Sequence, residues 1–130
     1  MILKEEFNKI YAISHSGFPN SSASKQGYHL VSPHSFIDTS VKSLLNTMLY
    51  YGAEKDKIKA IIIGGARLFK DFDLTYQVNI DSIKKELEKN DILTEIEDLG
   101  GLSERTLKYD IIHNPLYIKR EWEFKFRKIN

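Results

Sequence analysis

The chain has 130 residues, of which 42% are hydrophobic and 12% aromatic, a composition that suits one compact domain with a modest core. Its 19 basic and 18 acidic residues nearly cancel, so no overall field attracts nucleic acid or an anionic membrane, and we expect neither a nucleic-acid partner nor membrane insertion. The sequence contains no cysteine, which excludes disulfides, cysteine-based metal sites and a thiolate nucleophile among these residues.

The amino-terminal apolar stretch is interrupted at Glu5 and Glu6, before it reaches the length of a signal peptide. No later apolar run is long enough to cross a bilayer. We therefore expect a soluble, cytoplasmic protein. We also expect it to need no cofactor or metal.

The first third of the chain predicts two short strands separated by a loop. Aromatic and β-branched residues over 7–14 favour a strand. Residues 17–27 are rich in Gly, Pro, Asn and Ser and predict a loop, which is either a mobile lid or an insertion without a role in the site. A strand over Tyr28 to Val31 would be stopped by Pro33.

The strongest helix signal lies between Ser35 and Tyr51. Apolar residues recur there at three- and four-residue spacing, namely Ile37, Val41, Leu44, Leu45, Met48 and Leu49. Gly52 is placed to end this helix, because glycine accepts the left-handed conformation common at helix carboxyl ends. The β-branched run Ile58–Ile63 then predicts a strand covered on both faces, leading into Gly64 and Gly65.

A second helix is predicted to begin with Asn79 as its N-cap and to end at Asn90–Asp91, with Ile80, Ile83 and Leu87 facing the core. Four further strands are predicted over 92–97, 106–112, 116–119 and 122–126, with a hairpin turn at His113–Pro115. The expected fold class is α/β, a mixed sheet with two main helices packed on it.

Five short segments occur in an order that resembles the CheD family, the chemoreceptor glutamine deamidases of chemotaxis. They are His29–Pro33 as a His-x-x-x-Pro segment, Phe36–Ser40 as the start of a helix, Gly64-Gly-Ala66 after a buried strand, Asp98-Leu-Gly-Gly101, and Arg105. The similarity covers roughly residues 27–120, and its weight rests on the order of the motifs. It implies a single CheD-like domain over residues 1–130.

The resemblance also implies an activity: a cysteine thiolate attacks a receptor glutamine amide while a histidine moves the proton. His29 matches that histidine, Gly64, Gly65, Asn79, Asp98, Gly100, Gly101 and Arg105 match the surrounding pattern, and nothing matches the cysteine. The implied partners are a methyl-accepting chemotaxis receptor or a CheC-type phosphatase. The leading interpretation is a degenerate deamidase that acts by binding.

Other interpretations remain open from the residues. Ser14 or Ser16 could serve as nucleophile with His29, although His15 cannot act on its own neighbours because adjacent strand residues face opposite ways. His29 could be a structural imidazole, the glycines plain turns, and Arg105 a surface ion pair with Asp98 or Glu104. A metal site from His15, His29, His34 and Asp38, and an unrelated small α/β binding domain, are the remaining alternatives.

Overall fold

The computed structural model describes residues 1–24, 32–68 and 74–130. Within these ranges the chain forms strands and two α-helices in the order β1 (Ile2–Glu5), β2 (Ile10–Ile13), α1 (Ile37–Tyr50), β3 (Lys59–Gly64), α2 (Thr75–Lys89), β4 (Leu93–Leu99), β5 (Arg105–Tyr109), β6 (Leu116–Arg120) and β7 (Arg127–Lys128). Single 3₁₀ turns lie at Ser21–Ala23, Pro33–Ser35 and Lys55–Lys57.

The described strands form two sheets. In the first sheet the order is β2-β1-β3-β4, with β1 antiparallel to both β2 and β3, and with β3 parallel to β4. The second sheet is antiparallel, in the order β5-β6-β7. The α2 helix connects β3 to β4, as a parallel pair requires.

The first sheet is covered on both faces. On one face, Leu3, Ala60 and Ile62 join a core cluster with apolar residues of both helices, which include Val41, Leu45, Met48, Ile83 and Leu87. On the other face, Ile2 and Ile61 pack with Leu116 of the second sheet. The result is a layered α/β arrangement with β3 in the middle, which confirms the predicted fold class and the doubly covered strand.

The α1 helix confirms the apolar periodicity, because all the predicted positions but Leu49 are buried. Gly52 follows it with φ of 93°, and the next amide, Ala53 N, donates to Met48 O at 2.9 Å. These are the features of a glycine-terminated helix.

The prediction of one strand over residues 7–14 is wrong at its start. The chain forms β1 and β2 with a turn between them, in which Lys9 has φ of 56°. Buried Glu5 makes this turn, since its carboxylate accepts hydrogen bonds from Phe7 N and Asn8 N at 2.7 and 2.9 Å. Lys4 stays buried because Glu95 and Glu6 neutralise it at 2.7 and 3.0 Å.

Two further predictions need correction. Asn79 is not the N-cap of α2, because the helix begins one turn earlier at Thr75 with Leu74 as its N-cap. The strand predicted over residues 122–126 is absent from the described structure, and that segment is instead the connection between β6 and β7. The strand predicted over Tyr28–Val31 lies outside the described residues.

Candidate functional site

A cleft of about 810 Å³ opens beside the carboxyl end of β3. The end of β2, the first turn of α2 and the beginning of β5 form its other walls. Its polar lining is contributed by Ser14, His15, Ser16, Thr75, Tyr76, Asn79, Ser103, Glu104, Arg105 and Thr106. Segments that are distant in sequence therefore meet at one surface depression, in which these polar groups lie among apolar side chains such as Ile61 and Ile63, the usual form of a ligand site.

Six of the ten predicted site residues line this cleft: Ser14, Ser16, Gly64, Gly65, Asn79 and Arg105. Asp98, Gly100 and Gly101 lie behind its wall, where Gly100 N donates to Gly64 O at 2.9 Å and Gly101 O accepts from Arg67 N at 2.9 Å. His29 is outside the described residues. The structure thus brings most of the predicted set together without describing the predicted histidine.

The described imidazole in the cleft belongs to His15, which the sequence pattern offers only as a candidate metal ligand. The signal for it was present, because His15-Ser-Gly-Phe-Pro19 is a second His-x-x-x-Pro segment. The first sheet places His15 immediately after β2, at the end where Met1 and Ser14 exchange two backbone hydrogen bonds of 2.9 Å. Its ring is exposed to solvent and open to a ligand.

The residues that follow His15 are held from two sides. Gly17 N and Phe18 N both donate to Ser35 O at 3.1 Å, and Phe18 packs on Phe36 with 5.6 Å between ring centroids. From α2, Asn79 Nδ2 donates to Gly17 O at 3.0 Å and Ser82 Oγ donates to Pro19 O at 2.6 Å. This described part of the 17–27 loop is therefore anchored to α2 and to the segment that leads into α1.

Neither predicted serine is set up as a nucleophile in this arrangement. Ser14 is 9% exposed and its Oγ has no hydrogen-bond partner in the described part of the chain. Ser16 Oγ donates to the backbone oxygen of His34 at 2.8 Å. A nucleophilic hydroxyl needs a base within hydrogen-bond reach and an open approach, and these contacts supply neither.

Gly65 has a packing role at the cleft edge. Its φ is 61°, and a Cβ at this position would come within 2.6 Å of Ile80 Cγ1 on α2. The glycine therefore lets the end of β3 approach α2 closely. Asn79 lies one turn after the start of α2. It lines the cleft and also donates a hydrogen bond to the loop after His15.

Arg105 is a buried organiser of the cleft wall. It is 4% exposed, and its guanidinium donates to Asp98 Oδ1 at 2.7 Å and to the backbone oxygens of Gly100 and Ser103. Arg120 adds a contact of 3.1 Å to the same carboxylate. The pairing of Arg105 with Asp98 is confirmed, but it is not a surface ion pair, because the Arg105 charge is almost fully enclosed and satisfied by several acceptors.

Asp38, considered above as a metal ligand, is occupied elsewhere. Burial would raise the pKa of its carboxyl, but hydrogen bonds from the Ser21 hydroxyl and amide at 2.7 and 2.9 Å outweigh this and hold the pKa below its usual value. Among residues 1–24, 32–68 and 74–130, no group of three His, Asp or Glu side chains could hold a metal ion. None of the helices in these ranges has the length and apolar character to span a bilayer.

The fold and the cleft together define the class: a small layered α/β protein whose cleft carries an exposed imidazole, a carboxamide and a glycine turn. Residues 18–120 match the family model described as CheD chemotactic sensory transduction. The chain belongs to the CheD family, and the alternative of an unrelated domain with accidental matches is therefore wrong.

Individual relatives agree with the family match. The chain is 34% identical over 128 residues to a probable chemoreceptor glutamine deamidase CheD of Methanococcus vannielii, covering 96% of this chain and 80% of that protein. It is 30% identical over 113 residues to the probable deamidase of Pyrococcus abyssi, covering 84% and 68%. The chemoreceptor glutamine deamidase CheD of Thermotoga maritima is 27% identical over 119 residues, covering 91% and 73%.

Proposed function

We propose that this CheD-family protein binds glutamine-bearing helices of chemotaxis receptors, with the target side chain entering the cleft beside His15. The supporting observation is the meeting of an exposed imidazole, the Gly64-Gly65 turn and Asn79 at one cleft. The relatives at 27–34% identity are named as deamidases that act on chemoreceptors. In this proposal, the histidine beside the target side chain is His15.

The proposal is binding rather than turnover by these 130 residues. The sequence has no cysteine, and the contacts of Ser14 and Ser16 do not prepare either hydroxyl for attack. A chain of this kind regulates by occupying receptor helices. A CheC-type phosphatase is the second candidate partner, and competition between it and a receptor peptide would place both at the same surface.

Binding is tested with a fluorescent helical peptide that carries a receptor glutamine. We expect saturable binding, and His15→Ala should weaken it about tenfold, the effect of removing one central contact. The matched control is His113→Ala, because His113 is an exposed histidine of the β5–β6 turn, paired with Asp110 at 3.0 Å. Absence of binding by the unmodified chain, or equal losses in both variants, would contradict the proposal.

The cleft geometry also predicts where a thiol would restore chemistry. Because Met1 and Ser14 form a mutual hydrogen-bonded pair, a residue placed before Met1 would lie opposite His15 and on the same face. A variant with cysteine immediately before Met1 should convert peptide glutamine to glutamate, detected by mass spectrometry. Inserting one alanine between that cysteine and Met1 turns the thiol to the other face and serves as the control; equal activity of the two variants would refute the proposed register.

A further inference from the structure

The connection between β6 and β7 presents three aromatic side chains to solvent. Phe124 is 100% exposed, Trp122 63% and Phe126 42%. They belong to residues 121–126, which also contain Glu121, Glu123 and Lys125. This segment is named the aromatic loop. Large apolar side chains grouped at the surface indicate an interaction site more often than isolated ones do.

The aromatic loop is a defined structure, closed at its base by Glu123. The Glu123 carboxylate accepts hydrogen bonds from Arg120 N at 2.6 Å and from Arg127 Nε at 3.2 Å. Glu123 N donates to Arg120 O at 2.9 Å. The two arginines also contact Asp98 at 3.1 and 3.9 Å. The exposed rings therefore project from a fixed base.

The charge around the aromatic loop is positive. Glu123 is neutralised by its arginine contact, whereas Lys119, Lys125 and Lys128 form no ion pair within the described part of the chain. Lys119 Nζ lies 5.6 Å from the Phe126 ring centroid, so a cation borders the rings directly. Only Glu121 opposes these three lysines among the neighbouring residues of the loop.

We propose that the aromatic loop contacts anionic phospholipid at the surface of a bilayer. Trp122 and Phe124 enter the headgroup region, where aromatic rings are favoured, and the surrounding lysines interact with lipid phosphates. The near-zero net charge of the chain does not oppose this contact, because salt screens charges more than about 10 Å apart and leaves the local lysines dominant. A loop that exposes Phe124 fully and Trp122 by 63% suits a deformable surface.

The test uses Trp122, the single tryptophan of the chain. Phosphatidylcholine vesicles containing phosphatidylglycerol should shift its fluorescence to the blue and co-sediment the protein, whereas pure phosphatidylcholine vesicles should do neither. Phe124→Ser should lower partitioning about tenfold, as loss of one buried ring predicts. Lys125→Glu should lower it by about fivefold or more.

The control variants are Tyr50→Ser, which removes another aromatic ring, 84% exposed on α1, and Lys85→Glu, which reverses an exposed charge on α2. Both should partition like the unmodified chain. No blue shift, an equal shift with neutral vesicles, or equal losses in the controls would overturn the proposal. A blue shift that grows with protein concentration in the absence of vesicles would assign the loop to a contact with a second copy and would also overturn the proposal. A blue shift seen only when a single-stranded oligonucleotide is added would do the same.

Discussion

The Asp98 carboxylate makes a quantitative prediction about stability. Asp98→Asn keeps the side-chain shape and removes the charge that Arg105, Arg120 and Arg127 share at 2.7, 3.1 and 3.9 Å. Arg105 is 4% exposed, so the substitution leaves a buried guanidinium without its counter-ion. Removing one partner of a buried pair costs about 3–5 kcal/mol. Asp98 is itself 20% exposed, which places the expectation near the lower value, about 3 kcal/mol.

The assay is urea unfolding at pH 7 with the free energy extrapolated to water. Arg127→Ala is the comparison, because Arg127 is 45% exposed and 3.9 Å from the same carboxylate, and such contacts contribute about 0–1 kcal/mol. Double-mutant cycles should give a larger coupling of Asp98 to Arg105 than to Arg127. A loss below about 1 kcal/mol in Asp98→Asn, or similar couplings to both arginines, would refute the buried-cluster reasoning.

Two further predictions concern the cleft edge and acid stability. Gly65→Ala should destabilise the fold by about 1–3 kcal/mol, because the added Cβ would meet Ile80 Cγ1 at 2.6 Å. The control Gly17→Ala, whose Cβ would have nothing within 4 Å, should change the free energy of unfolding in urea by less than about 0.5 kcal/mol. Equal losses in the two variants would contradict the packing role of Gly65. The pKa of folded Asp38 is lowered despite burial, by Ser21, so its contribution is present above the unfolded pKa of about 3.9 and is lost as pH falls through the folded value. The stability difference between the unmodified chain and Asp38→Asn should therefore shrink on acidification below about pH 4, and a constant difference across an acid series would disprove it.

The helices and strands whose buried positions are mostly apolar were predictable from the sequence. The α1 helix carries one continuous apolar face, and β3 is apolar because both of its faces are covered. The β1 strand was missed because half of it is charged, and only the tertiary contacts of Lys4 and Glu5 make those residues suitable for burial. Such partners cannot be read from local pattern.

The other misses have equally specific causes. Residues 122–126 alternate as a strand does, but Glu123 closes them into a loop through Arg120 and Arg127. The first turn of α2 carries exposed Val78 rather than an apolar face, so the helix start was placed too late. The sequence offers two His-x-x-x-Pro segments, and it does not show that His15 lines the cleft, because the lining residues come from segments that are distant in sequence.

Asp98 connects the two proposed binding surfaces. Arg105, on the cleft wall, and Arg120 and Arg127, at the base of the aromatic loop, share its carboxylate. Phe124 is fully exposed, so Phe124→Ser should reduce vesicle binding while the affinity for a receptor peptide is kept. Asp98→Asn should impair both, since it removes the common anchor of the wall and the loop. The two surfaces are thus separable by substitutions at the tip and coupled by a substitution at the base.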